Sequence, residues 1–168
     1  PDFAEHGYAR GVPMGGDLKQ APAGKAPAFM MQALRDPDGA NIDRIQIVKG
    51  WLDANGQTHE KVYDVAWSDS DSRKVGSDGK VPSVGTTVDE KEATYTNTIG
   101  APSLTGYWQD PDFDSSLKAF YYVRVLEIPS PRWLAYDRKN YNLYDVMPKD
   151  IPYSSQERAY SSPIWYQP

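Results

Sequence analysis

The chain contains short runs in which apolar and polar side chains alternate, and clusters of turn-forming residues separate these runs. The apolar run at 42–52 and the alternating run at 60–67 enclose the sequence Asp-Ala-Asn-Gly at 53–56. Asn and Gly tolerate positive φ, and two strand patterns joined by such residues are typical of a β-hairpin. The sequence therefore predicts a hairpin with its tip at 53–56.

Five further strands are predicted on either side of this hairpin. They lie at 28–34, 92–99, 104–108, 119–128 and 158–166. The run AFYYVRVLEI at 119–128 is apolar on both faces apart from Arg124 and Glu127, which indicates the central strand of a sheet. Pro163 favours an edge or a bulge for the last strand, because proline cannot donate to a strand ladder.

Three segments do not follow a strand pattern. Glycine and proline are dense at 1–26, which predicts turns and no long helix. The polar stretch at 68–80 has almost nothing to bury and is predicted to be a mobile surface loop. Prolines interrupt the segment after 128, where 132–144 has room for a helical turn or two. We divide the chain into a loose N-terminal arm or linker at 1–26 and a β-sandwich domain at 27–168.

The composition supports the strand prediction. Twelve Tyr, 5 Trp and 4 Phe accompany 14 Pro and 13 Gly, a mixture that disfavours helices and suits short strands joined by irregular loops. A length of 168 residues is typical of one domain. We therefore predict an all-β fold, an antiparallel β-sandwich (Ig-like) of about six or seven strands, with an irregular Gly/Pro-rich N-terminal arm and little helix.

Charge and cysteine content exclude several classes of function. The chain has 18 Lys and Arg against 23 Asp and Glu, a net charge of −5, so no nucleic-acid partner is expected. It has no cysteine, which excludes disulfides, thiolate metal sites and cysteine nucleophiles. No apolar run has the length of a membrane span.

Few residues stand in a pattern that indicates catalysis. His6 and His59 are far apart, and no sequence signal brings them together, so a histidine-centred catalytic site is not expected. The Asp residues at 68–80 suit a solvated loop better than a calcium site, because their spacing is not that of an EF-hand. The Asp-Pro-Asp sequences at 36–38 and 110–112 are typical of tight turns, although paired carboxylates also occur in glycosidases.

The aromatic and arginine side chains are the candidate binding residues. Flat rings with polar edges suit carbohydrates, whereas the same rings more often fill the core of a sandwich. Arginine can stack on rings or pair with carboxylates, and it then pins irregular segments without any ligand. We select the following as candidate binding residues: Trp51, Trp108, Arg132, Trp133 and Arg158. No catalytic residue and no metal ligand is predicted.

Five stretches together resemble one known family. They are GVPMGGDL at 11–18, DPDGANIDRIQIVKGWLDANGQTHEKVYDVAWS at 36–68, TYTNTIGA at 94–101, FYYVRVLEIPSPRW at 120–133 and QERAYSSPIWY at 156–166. The chain resembles the C-terminal portion of the large bacterial domain-of-unknown-function 3604 family. That family is related to the polymerase-and-histidinol-phosphatase (PHP) superfamily of metal-dependent hydrolases.

The resemblance implies a larger protein with its chemistry elsewhere. Members of this family are longer and carry clustered His, Asp and Glu metal ligands in a barrel module upstream of the matched region. It therefore implies no cofactor in this segment, a divalent metal in the full-length protein, and the upstream barrel module or another subunit as the partner. The start at Pro1-Asp2 without Met indicates a fragment. A periplasmic or secreted location is also implied.

Two hypotheses about function follow. In the first, the segment is the accessory C-terminal β domain of a PHP-like metal-dependent hydrolase, with phosphoesterase as the expected activity of the full-length protein, and it is not an enzyme alone. In the second, it is a stand-alone binding or assembly module. Such a module would contact a glycan or a partner subunit, including a second copy, through its aromatic face or its strand edges.

Overall fold

The computed structural model describes residues 3–22 and 24–168. The expectation drawn from Pro1-Asp2 lies outside the described residues, as does Ala23. The elements are α1 (Phe3–Arg10), β1 (Asp17–Lys19), β2 (Ala28–Leu34), β3 (Ile42–Leu52), β4 (Thr58–Trp67), β5 (Ser103–Gln109), β6 (Ala119–Pro131), α2 (Trp133–Asn140), β7 (Ser154–Tyr160) and β8 (Ile164–Gln167). The predicted all-β class is confirmed, since only two short helices accompany these strands.

The strands form two sheets in a sandwich-like arrangement. The larger sheet has the order β1-β8-β6-β3-β4, with β7 also paired to β6, and β2 pairs with β5 in the smaller one. Pairing is antiparallel except between β1 and β8. β6 pairs with β3 along one side and with β8 and then β7 along the other. It is therefore the central strand, as its apolar pattern predicts.

The hydrophobic core lies between the two sheets. Its buried members come from four strands: Phe29 and Met31 of β2, Ile45 and Ile47 of β3, Ala119 and Tyr121 of β6, and Tyr166 of β8. Because side chains alternate along a strand, the intervening residues of β3, β6 and β8 lie on the opposite side of the larger sheet. We call the side that faces β2 and β5 the inner face and the opposite side the outer face.

The predicted hairpin and turns are confirmed. The Asp53 carboxylate accepts hydrogen bonds from the backbone N–H groups of Asn55 and Gln57, and Gly56 has a φ of 77°, which favours glycine. The Asp-Pro-Asp sequences are turns in which the first carboxylate accepts the N–H group of the third residue. The predicted helical turns at 132–144 correspond to α2.

The prediction of a strand at 92–99 is wrong. This segment consists of turns and bends, and its only β contact among the described residues is an isolated bridge between Asp89 and Thr94. The Asn41 side chain donates hydrogen bonds to the carbonyl oxygens of Asn97 and Ile99. Backbone groups of this segment are thus bonded to a side chain rather than to a neighbouring strand, so the alternation of threonines there does not reflect a ladder.

The two chain ends also differ from the prediction. The strand predicted at 158–166 is two strands, β7 and β8, which are separated around Pro163. The N-terminal segment contains α1 and the short strand β1, and it is not simply loose, because β1 pairs with β8. Gly15 donates to the carbonyl oxygen of Pro163, and Trp165 donates to that of Gly16. No helix in the described part of the chain is long and apolar enough to cross a membrane.

Candidate functional site

The five predicted binding residues lie in separate regions rather than in one site. Trp51 pairs with Ala119, the first residue of β6, whereas Arg132 and Trp133 follow its last residue. A straight strand of this length spans about 40 Å at roughly 3.3 Å per residue. Arg158 lies between these regions on β7. The structure does not bring the five residues together.

Their individual surroundings differ as well. Trp108 is half-buried and packs against the rings of Phe29 and Tyr63, with centroids 5.8 Å and 4.7 Å away, so it belongs to the core packing. Trp51 stacks on His59 at 5.2 Å. Arg132 donates to the carbonyl oxygen of Pro152, which pins the segment after α2, and Trp133 is exposed.

A buried lysine lies beneath Trp51 on the inner face. Lys49 Nζ is 2.6 Å from Asp110 Oδ2, and the two side chains are only 5% and 0% exposed. The Tyr121 hydroxyl donates to the same carboxylate oxygen at 2.7 Å, and Lys49 also donates to the main-chain oxygen of Asp112 at 2.8 Å. We call Lys49, Asp110 and Tyr121 the Lys49 cluster. It ties the Asp-Pro-Asp turn to the sheet.

Each side of the Lys49 ammonium group faces a partner. An ammonium group has three donors, and the third side of Lys49 Nζ lies 5.3 Å from the centre of the Trp51 ring, a cation–π distance. Burial and the hydrogen bond to Asp110 raise the pKa of Tyr121 above its usual range, so this phenol stays protonated and donates. The cluster can hold a loop rigidly, but it offers no free base or nucleophile.

Asp112, on the exposed side of this turn, is bonded to two side chains of β4. The Asp112 carboxylate accepts hydrogen bonds from Lys61 Nζ and from the Tyr63 hydroxyl, and these two bonds hold the pKa of Asp112 below its usual value. Burial and the bond to Asp112 raise the pKa of Tyr63. The depression beside them, lined by Lys49 and Trp51, has a cavity volume of about 20 Å³, which is enough for about one water molecule. Small-molecule sites usually have about 300 Å³ or more.

Another buried charge network anchors the loop at 68–80. Asp43 accepts from Arg73 Nη2 at 2.6 Å, from Arg44 Nε at 3.0 Å and from Gln156 Nε2 at 2.9 Å. Arg73 is buried, so the expectation that this loop has almost nothing to bury is wrong. A buried guanidinium needs a counter-ion, and Asp43 on β3 supplies it. No local pattern signals this pair, because Asp43 and Arg73 are 30 positions apart along the chain.

The outer face carries a continuous row of rings. Phe120 lies 5.2 Å from Trp165 and 6.4 Å from Tyr122, and Tyr122 lies 6.2 Å from Tyr160, measured between ring centroids. We call these four residues the outer aromatic row. Trp165 and Tyr160 are 47% and 58% exposed. None of the four is among the five selected binding residues, although Tyr122 and Trp165 are among the rings that the sequence offers for carbohydrate stacking. The run FYYV, on a strand apolar on both faces, is the signal for Phe120 and Tyr122.

The position of the row is set by a glycine on the neighbouring strand. A Cβ at Gly50 would come within 2.4 Å of Phe120 Cζ, so the Phe120 ring lies over the backbone of β3. The Tyr122 ring is nearly parallel to it, at an interplanar angle of 8°. Val48, which faces Tyr122 across the ladder, is buried. The row is therefore packed onto the sheet and presents an aromatic surface outward.

No group of three or more His, Cys, Asp or Glu side chains within residues 3–22 and 24–168 is placed to hold a metal ion. The described side chains therefore do not fit a divalent metal. In comparisons with known proteins, a family model described as "Protein of unknown function (DUF3604)" matches residues 1–168. No curated protein and no solved structure matches the chain.

Proposed function

The chain belongs to the family described as "Protein of unknown function (DUF3604)", and on that premise we propose that it is the accessory C-terminal β domain of a metal-dependent hydrolase. The proposal includes the relation of this family to the PHP superfamily and an upstream barrel module that carries the metal ligands. In this role the β domain contributes no catalytic ligand of its own.

The observation that carries the proposal is that the buried ion pairs hold loops in place. The Lys49 cluster fixes the turn at 110–113, and Asp43 with Arg73 fixes the loop at 68–80. Within each set the opposite charges are within hydrogen-bonding distance, and each set attaches a loop to the larger sheet. Breaking such a pair is costly, because one buried charge is left without a partner. This arrangement is typical of a rigid scaffold.

The direct test compares the chain alone with the natural polypeptide that contains it. Each is assayed for hydrolysis of p-nitrophenyl phosphate with Mg²⁺, Mn²⁺ or Zn²⁺, and again after chelation with EDTA. We expect metal-dependent turnover by the natural polypeptide and none by the 168-residue chain. Metal-dependent turnover by the chain alone would overturn the proposal, and so would a natural mass confined to 18.8 kDa.

A matched variant tests whether the Lys49 cluster is only structural. Replacing the pair together, Lys49→Met with Asp110→Leu, removes both buried charges at similar volume, a change that is often neutral for stability. The natural polypeptide with this double change should keep its turnover. Loss of turnover in a variant that unfolds at the wild-type urea concentration would assign the cluster a role in the chemistry instead.

The outer aromatic row favours a second candidate, a module that binds a glycan. Rings that present their faces outward can stack on sugar rings. Titration of the isolated chain with oligosaccharides, followed by tryptophan fluorescence, tests this function. A saturable change that Trp165→Ala removes and Tyr107→Ala leaves intact would support it, and a flat titration would oppose it.

A further inference from the structure

We infer that the outer face of the larger sheet is an interdomain interface, covered by the upstream module of the same polypeptide. This inference rests on the proposed function for the existence of that module, but it assigns a surface and an occupant that the proposal leaves open. The centre of the surface is the outer aromatic row, with Val62 and Leu52 beside it.

The first argument is that β6, the central strand, carries aromatic residues on both faces of the sheet. An antiparallel sheet that leaves one face in water usually alternates apolar and polar residues. Along β6 the inner residue Tyr121 is 1% exposed, and its neighbours Phe120 and Tyr122 on the outer face are equally aromatic yet only half-buried. A sheet with this composition is typically covered on both sides, and β2 and β5 cover only one.

The second argument is the layout of the surface. The aromatic row runs across β8, β6 and β7, and charged residues border it: Asp17 of β1 pairs with Trp165, Glu60 of β4 with Gly50, and Arg124 with Tyr160. An apolar centre with a charged rim is the usual anatomy of a protein interface.

The third argument is the size of the surface. Five strands at about 4.8 Å apart and some six residues at about 3.4 Å each cover roughly 24 Å by 20 Å, or on the order of 500 Å². Stable complexes of separate chains bury about 800 Å² on each partner. Interfaces between domains of one chain bury about 600–1,500 Å² in total, hence about 300–750 Å² per side. The area suits a covalently linked neighbour better than a second copy of the chain.

α1 is joined by a short segment to β1, the strand that borders this surface. It has eight residues, and the side chain of Tyr8 is 72% exposed. Isolated helices shorter than about 12–15 residues are marginal in water, so α1 needs a surface to pack on. The short segment at 11–16 joins it to β1, directly beside Trp165. A module that covers the aromatic row therefore lies within reach of α1 as well.

Thiol labelling tests the inference, because the chain has no cysteine of its own. Tyr160→Cys places a thiol on the outer face, and Tyr107→Cys is the matched control on the smaller sheet, where Tyr107 is 65% exposed. Each variant is labelled with N-ethylmaleimide in the isolated chain and in the natural polypeptide, and labelling at that position is quantified by peptide mass spectrometry. We expect labelling at 160 to be at least tenfold slower in the natural polypeptide and labelling at 107 to be unchanged.

The outcomes separate this inference from the proposed function. Equal labelling at 160 in both proteins would overturn the interface even if the natural polypeptide is a metal-dependent hydrolase. Protection at 160 without metal-dependent turnover would support the interface and contradict the hydrolase. Protection that already develops in the isolated chain at high concentration would assign the surface to a second copy. Protection of the isolated chain by oligosaccharides would assign it to a glycan, and either result overturns the inference.

Discussion

The two faces of the larger sheet both carry aromatic side chains, but these are buried on one face and partly exposed on the other. On the inner face Tyr121 packs against Phe29 of β2 and Trp108 of β5, beside the buried Lys49–Asp110 pair. On the outer face Phe120 lies over the backbone of β3, and Trp165 and Tyr160 are about half exposed. The difference lies in what covers each face, because the same strand supplies rings to both. A covered face can bury a charged pair, whereas an uncovered face remains available for contact.

The largest effect is expected on the inner face, from Asp110→Ala. This change leaves the buried ammonium group of Lys49 without its counter-ion, and breaking a buried pair in this way costs about 3–5 kcal/mol. Urea unfolding followed by tryptophan fluorescence measures the loss. The matched control is Asp114→Ala, an exposed carboxylate in the same connection, for which only a small loss is expected. A loss below about 1 kcal/mol for Asp110→Ala would contradict the structural role of the cluster.

Gly50→Ala should have an intermediate effect that comes entirely from the outer face. The added methyl group meets the Phe120 ring, and overpacking of this kind costs about 1–3 kcal/mol. Phe120→Ala in the same chain should relieve the clash, so the double variant should be more stable than the two single losses predict. A double-mutant cycle from urea unfolding measures this coupling, and additive losses would place the ring elsewhere.

Tyr121→Phe should have a small effect on the free energy of unfolding at neutral pH and a larger effect on how that free energy depends on pH. The pKa of Tyr121 is raised in the folded protein, so its contribution is present below the unfolded value of about 10 and is lost as the pH rises above it. Removing the hydroxyl should cost about 1 kcal/mol at pH 7 and flatten the decline in stability above pH 10. Unfolding free energies between pH 7 and pH 11 measure both effects. An unchanged alkaline decline would show that other groups cause it.

The smallest effect is expected from Tyr160→Lys, which places a charge on the uncovered face. Exposed substitutions usually change stability by about 0.5 kcal/mol or less, so the isolated chain should unfold almost as the wild type does. Tyr107→Lys is the control and should behave alike in the isolated chain. In the natural polypeptide, only the change at 160 should lower the unfolding temperature. Equal unfolding temperatures of the two variants in the natural polypeptide would show that the outer face of the larger sheet does not differ from the exposed side of the smaller sheet.

The local parts of the fold follow from the sequence. The apolar runs at 28–34 and 42–52 and the alternating run at 60–67 predict β2 and the β3–β4 hairpin, and the Asp-Pro-Asp sequences predict their turns. These features depend on residues within a few positions of each other, so a local pattern is sufficient. The same reasoning fails at 92–99, where the alternation is genuine but Asn41, far away in the chain, takes the backbone carbonyl groups.

What the sequence determined by itself is therefore the strands β2 to β6, the central place of β6 and the presence of rings on both of its sides. Only the tertiary structure decided which rings are covered, because β2 and β5 pack against one face and leave Phe120 and Tyr122 on the other. It also decided that Lys49 meets Asp110, since the two approach only when the turn at 110–113 folds back onto β3. Burial and ion pairing depend on such distant approaches, and no local pattern records them.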